Sequence, residues 1–272
     1  MDNKLNIMHN KITISFFIII AFAITSLAQS SKEESITVPL SDPGKSGLLI
    51  IKNHNGRVNV EGYSGSEVQV IITKNRHRND HSSKYGLKRI PNQSLDVSIS
   101  EEDNVVRISG RHNKGKDFLI KVPKNFSLSI STHHDGEITV SDVNGEIETK
   151  GHHGGITLSN VGGSVVADTH HGAIRVTLNS ISHDIPMAFT TYHGDVDITF
   201  PSTLNAKVKM KSSKGDIYTD FDMTIQKPQI KKTEMNGKNE IKLSGWTHGT
   251  IGSGGKEFMF ATYHGDIIIR KE

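Results

Sequence analysis

The sequence predicts an all-β protein built as a repetitive, β-solenoid-like stack of two facing sheets. Three observations carry that prediction. Glycines fall at Gly136, Gly145, Gly154, Gly163 and Gly172, nine residues apart without a slip. Two residues after each stands a β-branched aliphatic, Ile138, Ile147, Ile156, Val165 and Ile174, and such side chains favour extended backbone and pack well on a pleated surface. The residue two before each glycine alternates as His134, Val143, His152, Val161 and His170, so odd and even units differ and the full period is eighteen. Each eighteen-residue pair then supplies one strand to each sheet, with equivalent residues stacked about 4.8 Å apart. An antiparallel β-sandwich also repeats every two strands and remains the alternative.

From the N-terminus, residues 1–28 read as a signal peptide. Lys4 and Lys11 precede the apolar run from Phe16 to Ile24, and Ser26-Leu27-Ala28 stand before Gln29. A basic end, a short apolar stretch and small residues at the cut are what export requires, and the run is short for a membrane span. An uncleaved anchor is the competing reading. Residues 29–272 then form a single β-strand-repeat domain, expected to be soluble and exported, with no second run of spanning length and no transmembrane segment after cleavage. Asn53 to Tyr63, reading NHNGRVNVEGY, opens the strand series. Residues 67–73, 94–99, 104–109, 118–122 and 126–132 follow as strands by their alternation. The regular nine-residue repeats occupy about 132–178, where Glu137, Thr139, Glu146, Glu148, Thr157 and Arg175 alternate with the inward aliphatics. Degenerate copies keep glycine, aspartate and an aliphatic in YHGDVDITFP, SKGDIYTDF and YHGDIIIR. Residues 205–212 turn Ala206, Val208 and Met210 inward and Lys207, Lys209 and Lys211 outward. Polar residues 74–91 and 222–239 read as loop insertions, and no window carries an amphipathic helical period.

Composition narrows the chemistry. Cysteine is absent, which excludes disulfides, thiolate metal sites and cysteine nucleophiles. With 32 Lys and Arg against 29 Asp and Glu, the balanced charge speaks against a nucleic-acid partner. There is no nucleophile elbow, phosphate-binding loop, calcium nonapeptide or zinc-protease helix.

Nine histidines sit in or beside repeat turns: His54, His133, His134, His152, His153, His170, His171, His193 and His264. Aligned on the glycines, His134, His152 and His170 form one file continued by Tyr192, and Asp135, His153, His171 and His193 form a second. Neutral imidazole is a common ligand of zinc, copper and nickel at about 2.0–2.1 Å, which makes His134, His152, His153, His170, His171 and His193 candidate metal ligands. The competing reading is a ladder stacked for packing and hydrogen bonding, as amides stack on other repetitive β folds. Protonation of such a crowded file loosens that edge in acid.

Asp195, Asp216 and Asp266, with Asp197 nearby, have the residue type of a glycosidase pair or a calcium site. They recur at one motif position on separate turns, which reads as capping of backbone amides. Lys74, Arg76, Arg78, Lys84, Lys88 and Arg89 outweigh Asp80 in one short stretch with His77, His81 and Tyr85. That stretch reads as a solvated loop, with a grip on an anionic polymer as its functional alternative. Trp246 reads as a plug near the end of the core.

The run FLIKVPKNFSLSISTHHDGEITVSDVNGEIETKGHHGGITLSNVGGSVVADTHHGAIRV, then TTYHGDVDITFP, KGDIYTDF and ATYHGDIIIR, closely resembles a bacterial β-strand-repeat family of candidate adhesins of unknown function. The likeness covers residues 47–271. It implies the repeat fold and a surface role, and it carries over no catalytic residue and no cofactor. This chain departs from the family in placing histidine at turns where asparagine is more usual. The reading as a whole is an exported, non-catalytic scaffold of the periplasm, outer surface or extracellular space, displaying rows of side chains to an envelope or extracellular polymer or a surface protein. A metal-binding envelope protein is the competing class, and a polysaccharide-cleaving β-helix enzyme is the third.

Overall fold

The computed structural model describes residues 33–74, 83–84, 87–88, 95–110, 115–134, 136–182, 185–227, 230–235, 238–243 and 245–272. The signal-peptide reading of residues 1–28, the basic residues Arg76, Arg78 and Arg89 with His77, Asp80, His81 and Tyr85, and Asp135 lie outside the described residues.

The chain begins with β1 (Glu33–Pro39), β2 (Leu48–Asn55), β3 (Val58–Tyr63) and β4 (Glu67–Lys74). The short β5 (Ser83–Lys84) and β6 (Leu87–Lys88) pair with each other. Then come β7 (Val97–Glu102), β8 (Val105–Gly110), β9 (Lys116–Pro123), β10 (Ser127–His134) and β11 (Ile138–Ser141). The regular repeats are β12 (Ile147–His153), β13 (Ile156–Val161), β14 (Val165–His171) and β15 (Ile174–Leu178). After them lie β16 (Met187–His193), β17 (Val196–Phe200), β18 (Ala206–Ser212), β19 (Ile217–Thr219) and β20 (Met223–Ile225). The last are β21 (Ile230–Met235), β22 (Lys238–Leu243), β23 (Thr247–Ile251), β24 (Glu257–His264) and β25 (Ile267–Lys271).

One sheet runs β1-β4-β9-β3-β11-β13-β15-β17-β25-β19, and the other β20-β23-β18-β24-β16-β14-β12-β10-β2-β8-β7. From β8 to β20 consecutive strands of the chain therefore alternate between sheets, as do β1 to β3 and β24 to β25, and a pair of such strands makes one coil. The coils stack as β8/β9, β2/β3, β10/β11, β12/β13, β14/β15, β16/β17, β24/β25 and β18/β19. Strands of neighbouring coils are parallel in both sheets. This is the arrangement of a solenoid, because an antiparallel sandwich reverses direction at every pairing. Coil order departs from chain order at both ends. The coil β8/β9 lies outside β2/β3, and the C-terminal coil β24/β25 is inserted between β16/β17 and β18/β19.

The period-two alternation becomes the core. Strand β17 buries Val196, Ile198 and Phe200, and β15 buries Ile174, Val176 and Leu178, while their intervening residues face outward. Facing residues of both sheets join one apolar cluster that includes Phe126, Phe189, Phe200, Phe258 and Phe260. Phe189 and Phe260 stack at 5.3 Å between ring centroids, which ties the inserted C-terminal coil to β16. Antiparallel strands finish the stack: β4 on β9 and β7 on β8 at one end, β23 on β18 at the other. A parallel edge left bare would be a template for further pairing, and these strands cover three of the four edges, the fourth ending on the three-residue β19.

Two expectations need correction. Residues 222–239 hold β20, β21 and the start of β22 rather than a loop, and β21 pairs antiparallel with β22 in a small sheet of its own. A hairpin that pairs only with itself needs no apolar face on the main core, so its sequence lacks the alternation that marked the other strands. The strand expected over 94–99 lies at Val97–Glu102, displaced toward the turn that pairs it with β8. Among the described residues, no helix is long and apolar enough to cross a membrane.

Candidate functional site

Every coil from β2/β3 to β24/β25 turns from the second sheet to the first through a corner of one pattern. The corners are Asn53-His54-Asn55-Gly56, Thr132-His133-His134, Gly151-His152-His153-Gly154, Thr169-His170-His171-Gly172, Thr191-Tyr192-His193-Gly194 and Thr262-Tyr263-His264-Gly265. The turn is tight enough to require glycine. Gly172 has φ of 136°, and a Cβ there would lie 2.5 Å from the carbonyl oxygen of Gly154 in the coil below. Gly194 repeats the arrangement against Gly172. Side chains with a Cβ resist both the dihedral and the approach.

The register corrects the two files. Strand β10 pairs with β12 at Leu128↔Ile147, a step of nineteen, whereas β11 pairs with β13 at Ile138↔Ile156, a step of eighteen. Counting back from the glycine therefore misplaces β10 by one residue, because an extra residue falls between His134 and Ile138. His134 belongs with His153, His171 and His193, and not with His152 and His170.

The outer file runs His54, His133, His152, His170, Tyr192, Tyr263. Its ring centroids are 5.1, 4.7, 5.3, 5.0 and 4.8 Å apart, with planes within 16° of parallel. The second file runs His134, His153, His171, His193, His264 at 5.8, 4.9, 4.9 and 4.8 Å, within 11° of parallel. Within a coil the two rings meet nearly edge to face, as in His152–His153 at 4.4 Å and 74°. The spacing is that of the sheet itself, so the backbone, by repeating one corner, sets the ladder.

Buried hydroxyls hold the corner from beneath. Thr169, Thr191 and Thr262 each donate to the glycine carbonyl of the preceding coil, Gly154, Gly172 and Gly194, at 2.9 Å. Gly151 has no hydroxyl to offer, and Thr132 supplies the carbonyl of Gly136 from within its own coil at 2.8 Å. Buried polar groups satisfied in this way stabilise a corner that would otherwise leave carbonyls unpaired. Above this layer the rings are half-buried to exposed. Desolvation by the packed rings, and then the charge of neighbouring imidazoles, pushes His133, His152 and His171 below the ordinary histidine value. His152 buries its Nδ1 without a hydrogen-bond partner among the described residues.

The acidic candidates are engaged elsewhere. Asp195 Oδ1 accepts the backbone N–H of Asp266, and Asp266 Oδ1 accepts that of Asp216, each at 2.9 Å. Asp197 binds Arg270 through both oxygens at 2.8 and 3.1 Å. Asp195 and Asp266 thus cap backbone amides, as the sequence suggested, and they do so from coil to coil. Trp246 is half-buried on the outer face under the amines of Lys209 and Lys211, 4.6 and 5.8 Å from its ring centroid, rather than plugging the core.

Rings stacked in parallel planes direct their in-plane lone pairs away from any shared ion, so donors converge only across the edge-to-face rungs. Among the described residues, three imidazoles gather at His54, His133 and His134, whose ring nitrogens lie within 4.8 Å of one another. His54, Tyr263 and His264 join a file or cluster that sequence spacing did not assign them to. Their signal was the corner motif itself, masked by the long segments that separate these coils from the regular block.

The Toastrack DUF4097 family model matches residues 1–270. Among solved structures, the chain is similar to a candidate cell adhesion protein from Clostridium sporogenes at 12% identity and a TM-score of 0.44, covering 89% of this chain and 99% of that one. A candidate adhesin from Bacteroides fragilis is similar at 11% identity and a TM-score of 0.42, with 89% and 98% covered. No protein of curated function matches the sequence.

Proposed function

The chain belongs to the Toastrack DUF4097 family, and on that premise we propose that it is an exported, non-catalytic display scaffold binding an extended envelope polymer along its ring-bearing corner. The observation that carries this reading is the unbroken double file of rings, six levels long in the outer file, on one corner of a rigid stack. Ring faces are consumed by stacking on one another, so the edges are what solvent meets. Imidazole and phenol edges offer hydrogen bonds to hydroxyls and carboxylates, which repeat along a glycan strand. Each contact is weak, and a polymer that meets one rung meets the next at high effective concentration. The non-catalytic part of the reading is supported by the use of Asp195, Asp197 and Asp266 as structural acceptors.

The test is co-sedimentation of the tag-free protein with purified envelope polysaccharide, beside a variant carrying His153→Asn, His171→Asn and His193→Asn. Apparent affinity is expected to fall at least about tenfold through lost multivalency, with an unchanged far-UV spectrum. Equal binding by the two proteins overturns the reading, and capture of the corner by a surface protein in place of the glycan replaces the polymer as occupant.

A further inference from the structure

The ladder is not uniform, and its irregularity lies at one end. Where outer-file and second-file rings of adjacent coils meet diagonally in the body of the ladder, as in His152–His171, His170–His193 and Tyr192–His264, centroids are 6.1 to 6.2 Å apart. The same diagonal between His54 and His134 is 5.2 Å, with the rings nearly perpendicular at 87°. His134 is correspondingly far from its own file, 5.8 Å from His153 where other neighbours stand at 4.8 to 4.9 Å. The step from β10 to β12 is nineteen residues where that from β11 to β13 is eighteen, so the connection from His134 to Ile138 is one residue longer than its counterpart in the next coil. His134 thus stands apart from its own file and close to His54, while it keeps the ordinary within-coil distance of 4.3 Å to His133.

The second file also ends at this point. Asn55 is the register partner of His134, so an amide stands where the next ring would be. Its Oδ1 is buried and has no hydrogen-bond partner among the described residues. A buried acceptor without a donor costs free energy unless something supplies one. An imidazole N–H whose other nitrogen is bound to a metal, or a metal-bound water, is a donor of the required kind.

We propose that His54, His133 and His134 form a binding site for one borderline divalent cation, Zn²⁺, Cu²⁺ or Ni²⁺, with the Asn55 carbonyl oxygen as its outer acceptor. Three neutral imidazoles are a ligand set suited to these ions and unsuited to Ca²⁺ or Mg²⁺, which take oxygen. Tetrahedral binding at about 2.0–2.1 Å places ligand nitrogens about 3.4 Å apart. One nitrogen from each ring already lies within 4.8 Å of the others, and side-chain rotation closes the remaining gap. His134 lacks a ring above it to hold it in the stack, so it is the ligand that moves most. A fourth position stays open for water or a ligand atom. The site lies at the end of the ladder where second-file stacking stops, and it is independent of polymer binding along the remaining rungs.

Calorimetric titration of the tag-free chain with Zn²⁺, Cu²⁺ and Ni²⁺ tests the site. The expected result is saturable binding of one ion per chain, with affinity lowered at least about tenfold by His54→Asn or His134→Asn. The pair His171→Asn with His193→Asn, at the far rungs, leaves it unchanged. Thermal unfolding with and without Zn²⁺ supplies a second readout, since an ion bound only by the folded state raises Tm. That rise is expected in the parent and the far-rung variant and absent in His134→Asn, whose melting without metal reports whether it folds. Non-saturating heats in the parent overturn the proposal, as does binding lost with His171 and His193 but kept without His54.

Discussion

The two corners of the solenoid are built by the same device and end in opposite states. At the corner between β13 and β14 and its neighbours in the stack, Asp142, Asn160 and Asn179 are laid one above another. Asn160 donates to Asp142 Oδ1, Asn179 donates to Asn160 Oδ1 at 2.9 Å, and Ser180 donates to Asn179 Oδ1 at 2.9 Å. Val143 and Val161 are fully buried behind them. That corner consumes its own polar groups. At the histidine corner the rings stack face to face, which satisfies no ring nitrogen, and His152 Nδ1 is left without a partner among the described residues. The first corner is closed on itself, and the second leaves its ring edges facing outward. Connection lengths agree with that division. The amide side runs from the short 162–164 to the longer 179–186, whereas from β12 onward the four corners of the ring file pass from histidine to aliphatic in two residues. From β12 onward, the longer connections fall on the amide side.

The contrast yields graded expectations. The largest concerns the backbone under the rings. Gly172→Ala forces a left-handed dihedral on a residue with a Cβ and drives that atom into Gly154, at a cost of about 3 kcal/mol or more in denaturant unfolding. A loss under about 1 kcal/mol would mean that the corner is looser than its ladder implies. Next, Asn160→Ala breaks the amide chain in two places and removes a residue suited to φ of 53°. It should cost about 1–2 kcal/mol and leave polymer binding intact. Smaller still, His171→Asn removes two stacked neighbours for about 0.5–1 kcal/mol, while weakening polymer binding. The pair of variants therefore separates stability from binding, and a reversal of the two phenotypes would exchange the roles of the corners.

The smallest effect is that of pH. His133, His152 and His171 have folded-state pKa values below the ordinary one, so the unfolded chain holds more protons as pH falls. Their contribution to stability is complete above the unfolded value of about 6.5 and is lost as pH drops through the folded values. Melting temperature should decline between about pH 7.5 and about pH 5, and less so in His152→Asn. A flat profile would show that the crowding of the rings carries no titration penalty.

Much of this was legible in the sequence because it is local. The metre from Gly136 to Gly172, the aliphatics two residues on, and the inward Ala206, Val208 and Met210 each follow from one strand's alternation, and each is in place. Register across coils is a different quantity. A glycine-anchored count placed Asp135 in the histidine file because nothing in a single repeat announces an added residue at a corner. The insertion of β24/β25 between β16/β17 and β18/β19 was likewise invisible, since any coil with an apolar inner face can stack on any other, and the choice rests on partners such as Phe189 and Phe260. His54 lies about eighty residues from His133, so the cluster they form with His134 exists only once the coils are stacked.

The division between a closed and an open corner is tested most directly by hydrogen–deuterium exchange of the intact chain with and without envelope polysaccharide. Protection gained along the backbone of the histidine corner, from His152 through His264, with the Asp142–Asn160–Asn179 side unchanged, is the predicted result. Protection gained on the amide side alone, or equally on both, would contradict it.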